Sequence, residues 1–165
     1  MEIESITGES KKISCIGCSI ISGEISTIGG IVFETDNFFV VHDFENPIPG
    51  FLILSSKKHV KGLYDFNEEE ALELIKLSKR VRDAMKEVLF IDQVTIIQEE
   101  ESDHFHIWFL PIYEWMKKIG TKLGDIPKCL AHSRNLMKTP ENIKIIEQAI
   151  IKIKDYHKKE CVDIK

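Results

Sequence analysis

The stretch SDHFHIWFLP, Ser102 to Pro111, sets two histidines one residue apart in an apolar run and follows them with Trp108. Side chains along a strand point alternately to opposite faces, so His104, His106 and Trp108 project together while Phe105, Ile107 and Phe109 face the other way. One strand histidine is most often a core residue with its ring nitrogens satisfied. Two on one face need two sets of partners, which makes the row a candidate for chemistry.

Outward from this strand, VTIIQ (94–98) is β-branched and joined to it by the short acidic connection EEESD, a spacing that suits a hairpin. Further upstream, IVFE (31–34) and FFVVH (38–42) read as paired strands around the turn residues TDN. HDFENPIPG is broken by Pro47, Pro49 and Gly50, and FLILS (51–55) then makes another strand. Between the third and fourth strands, Asn67 with Glu70 three residues on predicts a capped helix carrying Leu74, Leu77, Val81, Met85 and Val88 at helical spacing. Past Pro111 the pattern turns helical. IYEWMKKIG predicts a short helix ended by Gly120, and Thr139-Pro140 starts a long one with Ile143, Ile146, Ile150 and Ile153 as its apolar stripe. Five strands with few helices between them predict an antiparallel α+β domain with packed helices.

The chain has 165 residues, a net charge of -5 and no long basic run, which argues against nucleic acid as the partner. No apolar run approaches membrane-spanning length and the start lacks an apolar leader, so a cytoplasmic protein without a membrane partner is expected. Of the four cysteines, Cys15 and Cys18 form a C-x-x-C, whereas Cys129 and Cys161 stand apart. In a reducing compartment the close pair reads as metal or redox chemistry, or as two small buried thiols. Zinc held by such a pair would need two further ligands, and histidine is suited to that. Histidine is also suited to attack phosphorus near neutral pH, with its second nitrogen held by an acceptor that fixes the tautomer.

His104 to Pro111 resembles the histidine triad (HIT) motif, His-φ-His-φ-His-φ-φ with φ apolar. CIGCSIISGEI is similar to the family's amino-terminal Cys-x-x-Cys segment, and HDFENPIPGFLILSSKKH to its strand, loop, strand and Lys-x-His signature. The resemblance covers about residues 13 to 112, and in particular looks like bacterial diadenosine tetraphosphate hydrolase-like members with a zinc site. It implies a HIT-like fold with a five-stranded antiparallel sheet: a HIT domain with an amino-terminal zinc-binding segment over residues 1–112, and a carboxy-terminal helical extension over 113–165.

The same resemblance makes His106 the nucleophile that forms a nucleotidyl-imidazole. It assigns structural zinc to Cys15, Cys18, His59 and His104, as in zinc-containing relatives that include the galactose-1-phosphate uridylyltransferase branch. Asp43 falls where the family binds ribose hydroxyls, although a turn residue opening the Pro-rich loop is an equal reading. Gln98 matches a phosphate-contacting position, and Ser102 falls near a hydroxyl of relatives in a loop that is shorter here. Trp108 stands at the third motif position, where an indole can donate to phosphate but cannot shuttle a proton, or can pack against the base. Phe51 replaces a histidine common after the loop's Pro-Gly. His42, His132 and His157 have no counterpart and read as surface or packing residues; Lys117, Lys118 and Arg134 read as solvated charge. The implied activity is that of a nucleotide hydrolase or nucleotidyltransferase, acting as a homodimer on small-molecule nucleotides such as dinucleoside polyphosphates. Its rivals are a catalytically weak nucleotide-binding module and a zinc-dependent adaptor built on CIGC.

Overall fold

The computed structural model describes residues 1–162, with side chains described through residue 159; the side chain of Cys161 lies outside them. A small hairpin, β1 (Glu2–Glu4) and β2 (Ser10–Lys12), leads into the short helix α1 (Ile16–Ile21). The main sheet comprises β3 (Phe33–Glu34), β4 (Phe38–His42), β5 (Leu52–Ser56), β6 (Val94–Gln98) and β7 (His106–Pro111). Its order is β3-β4-β5-β7-β6, with every pairing antiparallel. Helix α2 (Glu68–Leu89) follows β5, and α3 (Glu114–Ile119), α4 (Ile126–Leu136) and α5 (Pro140–Val162) follow β7. This is the α+β architecture expected, with the expected β6-β7 hairpin.

Alternation divides the sheet into two faces. Phe38, Val40, Leu52, Leu54, Phe105 and Phe109 are buried in one core with Leu74, Leu77, Val81 and Met85 of α2 and with Ile146, Ile150 and Ile153 of α5. The carboxy-terminal helix therefore completes the main core of its own chain. Both helices start as their sequences direct. Asn67 accepts the Glu70 N–H at 2.9 Å while the Glu70 carboxylate accepts the Asn67 N–H, and Thr139 Oγ1 accepts from Asn142 N.

The other face is shared. Toward the Pro-rich loop, Ile48, Phe51, Leu110 and Met116 form a second core with Ile126, Cys129 and Leu130 of α4. Helix α4 was not anticipated in the sequence. The remainder of this face carries Phe39, Val41, Ile53, Ser55, His106 and Trp108. The register places them side by side, with Phe39 opposite Ser55, Val41 opposite Ile53, Ser55 opposite His106 and Ile53 opposite Trp108. The amino-terminal segment bends over these residues and encloses a cavity. No helix among the described residues is long and apolar enough to cross a membrane.

Candidate active site and metal centre

The cavity has a volume of about 510 Å3. Its floor is that patch of sheet, and its wall includes Asp43 and Phe44 from the loop after β4 and Ile16 and Ile20 from α1. Cys15, Cys18, His59 and His104 meet at one edge of it.

Four ligand atoms, one from each of these residues, lie within 4.8 Å of one another. Cys15 Sγ is 3.2 Å from His104 Nδ1, and Cys18 Sγ is 3.1 Å from His59 Nδ1. The arrangement follows from short local rules. Cys15 caps α1 and Cys18 lies one turn on, so both thiols emerge at the same end of the helix. Between them, Gly17 faces the His104 ring so closely that a Cβ there would lie 2.7 Å from Nε2 and Cε1. His104 is buried and its Nε2–H donates to the Ser56 carbonyl at 2.8 Å, which leaves Nδ1 bare toward the thiols. Burial holds its pKa below the ordinary value, and burial pushes the Cys18 thiol up. Two cysteines and two histidines converging from separated segments, with one imidazole anchored through its other nitrogen, form a donor set that could hold a metal ion and fits tetrahedral zinc.

His106 begins β7 and has its ring in the cavity. Its Nδ1–H donates to the His104 carbonyl at 3.0 Å, so in the neutral ring Nε2 is the nitrogen that carries the lone pair. Ser102 Oγ donates to the same carbonyl at 3.2 Å and lies 3.3 Å from His106 Nδ1, which sets Ser102 behind the imidazole. Asp43 borders the cavity while Oδ1 accepts from Glu45 N, Asn46 N and Asn46 Nδ2 at 3.0, 2.6 and 2.8 Å. It is a turn residue that also faces the cavity. Gln98 does not join this group. It pairs with Ile107, which faces away from the histidine row, and its exposed amide donates to the Glu99 carbonyl.

Trp108 borders the cavity and packs edge-on against Phe51, with ring centroids 5.6 Å apart. Phe51 and Trp108, the two positions at which the sequence departs from the motifs it resembles, are thus one apolar contact. His42, His132 and His157 all pack. His132 stacks on Trp115 and His157 on Phe33, while His42 is fully buried with Nδ1 2.8 Å from the Asp43 carbonyl and Nε2 2.9 Å from that of Ile48. Burial lowers the His42 pKa against the opposing pull of both carbonyls and of the Asp43 carboxylate.

Two features escaped the sequence reading. Arg134 of α4 donates to Asn46 Oδ1 at 2.8 Å, so the carboxy-terminal helices reach the Asp43 turn. Glu99 Oε1 lies 3.6 Å from His106 Nε2. The hairpin register would have indicated the second, since Gln98 opposite Ile107 leaves Glu99 as the next residue toward His106.

The HIT domain model matches residues 27–114, more than half of the chain. The protein belongs to the HIT domain family. An uncharacterised HIT-like protein of Methanocaldococcus jannaschii is 26% identical over 118 residues, which are 68% of this chain and 88% of that one. The adenosine 5′-monophosphoramidase of Saccharomyces cerevisiae is 27% identical over 104 residues, 59% of this chain and 62% of the yeast protein. Among solved structures, a zinc-bound histidine triad family protein from Mycobacterium smegmatis superposes with a TM-score of 0.58 at 21% identity, over 87% of this chain and 97% of that one. This likeness carries the fold.

Proposed function

We propose that the protein is a nucleotide hydrolase or nucleotidyltransferase that attacks a nucleoside α-phosphate with His106 Nε2. The observation that carries the reading is the tautomer: Nδ1–H is bound to the His104 carbonyl, so the nitrogen left with a lone pair is the one available for attack. In the first step the Nε2–P bond forms and the bond from phosphorus to the leaving group breaks. Water or another acceptor then attacks phosphorus and the Nε2–P bond breaks.

In this reading Asp43 receives the ribose hydroxyls through the oxygen that the turn does not use, and the apolar wall of Phe44, Ile16 and Ile20 receives the base. Ser102 steadies the nucleophile and the His104 carbonyl behind it. Gln98, matched from sequence to a phosphate contact, acts through the backbone of Glu99 that it binds. Trp108 lines the substrate pocket, and its contact with Phe51 favours packing as its main role. Zinc on Cys15, Cys18, His59 and His104 is structural: it ties the amino-terminal roof to the strand that carries His106. The assembly is a homodimer acting on small-molecule nucleotides.

Dinucleoside polyphosphates are the leading substrates, because a phosphoanhydride needs little proton help to break and Trp108 has none to give. Nucleoside phosphoramidates are the second class, on the strength of the yeast relative's activity. A catalytically weak nucleotide binder is the alternative in which His106 is only a contact. A product assay over dinucleoside polyphosphates, nucleoside phosphoramidates and nucleotide sugars separates these readings. Turnover by the wild type with at least a thousandfold loss in His106→Ala is expected. Nucleotide binding without turnover of any of them would leave the binder.

A further inference from the structure

The connection between β6 and β7 carries Glu99, Glu100, Glu101 and Asp103, and one of these carboxylates differs from the rest in how it is held. Glu99 is half-buried, and its Oε2 accepts the backbone N–H groups of Glu101 at 2.5 Å and Ser102 at 3.3 Å. Its backbone carbonyl accepts from the Gln98 side chain at 3.0 Å. The other oxygen, Oε1, lies 3.6 Å from His106 Nε2. A carboxylate so anchored borders whatever phosphorus is bound at Nε2, together with the groups entering and leaving it. At the third motif position stands an indole, which can donate a hydrogen bond but neither accepts nor releases a proton in the working range.

We propose that Glu99 is a catalytic residue of this chain: it carries the proton that the leaving group takes and the attacking water gives up. The inference rests on nucleotidyl transfer through His106. In the first step the Nε2–P bond forms, and the electron pair of the breaking bond goes to the leaving atom, which takes a proton that Glu99 relays to it from solvent. In the second, water adds to phosphorus, the Nε2–P electron pair returns to the imidazole, and the proton lost by water goes to the Glu99 carboxylate. Glu99 passes that proton on to solvent, so the proton taken up in the first step is returned in the second. With a proton carrier in place, substrates with poor leaving groups come within reach despite Trp108. The substrate range therefore extends from phosphoanhydrides to the phosphoramidates of simple amines.

The test compares wild type, Glu99→Gln and His106→Ala on two adenylyl donors. Adenosine 5′-(4-nitrophenyl) phosphate releases nitrophenolate without a proton, whereas the adenosine 5′-phosphoramidate of a simple amine does not release its amine unprotonated. Single-turnover rates of leaving-group release isolate the first step from the hydrolysis that follows. Glu99→Gln should release nitrophenolate within a few-fold of wild type and release the amine about a hundredfold to ten-thousandfold more slowly, the usual range for loss of general acid help. His106→Ala should release neither. Equal rates for wild type and Glu99→Gln on both donors would overturn the proposal. An equal loss on both would overturn it too, by assigning Glu99 a structural part. In either case the wild-type turnover leaves the role of His106 standing. If the wild type releases neither leaving group, nucleotidyl transfer itself fails and Glu99 with it.

Discussion

His104 and His106 are two residues apart, and their rings are held by opposite nitrogens. His104 donates from Nε2 to the Ser56 carbonyl and turns Nδ1 to the thiols, while His106 donates from Nδ1 to the His104 carbonyl and keeps Nε2 for the cavity. Backbone carbonyls thus select the tautomer of each ring and with it the task each can perform. Gly17 tests the metal half of this division. Alanine is the better helix former by about 1 kcal/mol, so propensity alone predicts that Gly17→Ala stabilises α1. A Cβ 2.7 Å from the His104 ring outweighs that gain by displacing a ligand. Gly17→Ala should purify with substantially less zinc than wild type and melt several degrees lower, by metal analysis and calorimetry. A variant with full zinc and an unchanged or higher Tm would refute the close approach. These residues were partly legible beforehand. C-x-x-C and the paired histidines carry spacing signals, and the approach of Glu99 to His106 is implicit in the hairpin register, whereas the close approach of Gly17 to His104 depends on how separated segments meet.

At the scale of elements, legibility followed periodicity. The strands β4 to β7 and the helices α2 and α5 have regular apolar spacing and cap signals, and they fall close to where the sequence puts them. Helix α4 was missed because its buried positions Ile126, Cys129, Leu130 and Ser133 include two small residues, which weakens the stripe. The β1-β2 hairpin was missed because β2 is Ser-Lys-Lys, exposed throughout, and a three-residue strand has no room for alternation. Gln98 was matched by motif position, yet its strand register assigns it to the face of Ile107. The elements after β7 also hold the loop that carries Asp43. Arg134 binds Asn46, which binds Asp43; Asn142 donates to the Pro47 carbonyl at 2.7 Å and Tyr113 to that of Pro49 at 2.7 Å. Burial pushes the Tyr113 phenol up to about 12, so it remains a donor. Arg134→Ala removes one link to the turn, and a hydrogen bond to a charged group contributes about 1.5–3 kcal/mol. Nucleotide KM should rise roughly tenfold in steady-state kinetics while kcat changes little; an unchanged KM would show that the loop holds without α4.

For the whole molecule, the sheet separates stability from chemistry. One face is sealed by α2 and α5, and the other is roofed by an amino-terminal segment with a small core of its own, Ile3, Ile13, Ile25 and Phe44. The roof is tied to the sheet by the Cys2His2 cluster, so chelation should loosen the cavity without melting the core. His42, opposite Leu52, links the sealed face to acidity. Its folded pKa is lowered by burial, so the folded state favours the neutral ring while the unfolded chain takes up a proton below its ordinary value of 6.5. The contribution of His42 is complete above that pH and is lost as the pH falls toward the folded value. With chelator present throughout, so that metal release does not contribute, unfolding free energy should fall between pH 7 and 5, and His42→Gln should flatten the slope. Stability rising over that interval would mean that the ring is an imidazolium bridging the Asp43 and Ile48 carbonyls.

The central claim is a covalent bond from His106 to phosphorus, and trapping it is the most direct measurement. Wild-type protein mixed with a dinucleoside polyphosphate and quenched in alkali, where phosphorus-nitrogen bonds survive, should yield on digestion a peptide that carries one nucleoside monophosphate on His106. His106→Ala should yield none. Turnover by wild type with no adduct at any quench time, together with turnover by His106→Ala at the same rate, would contradict the account.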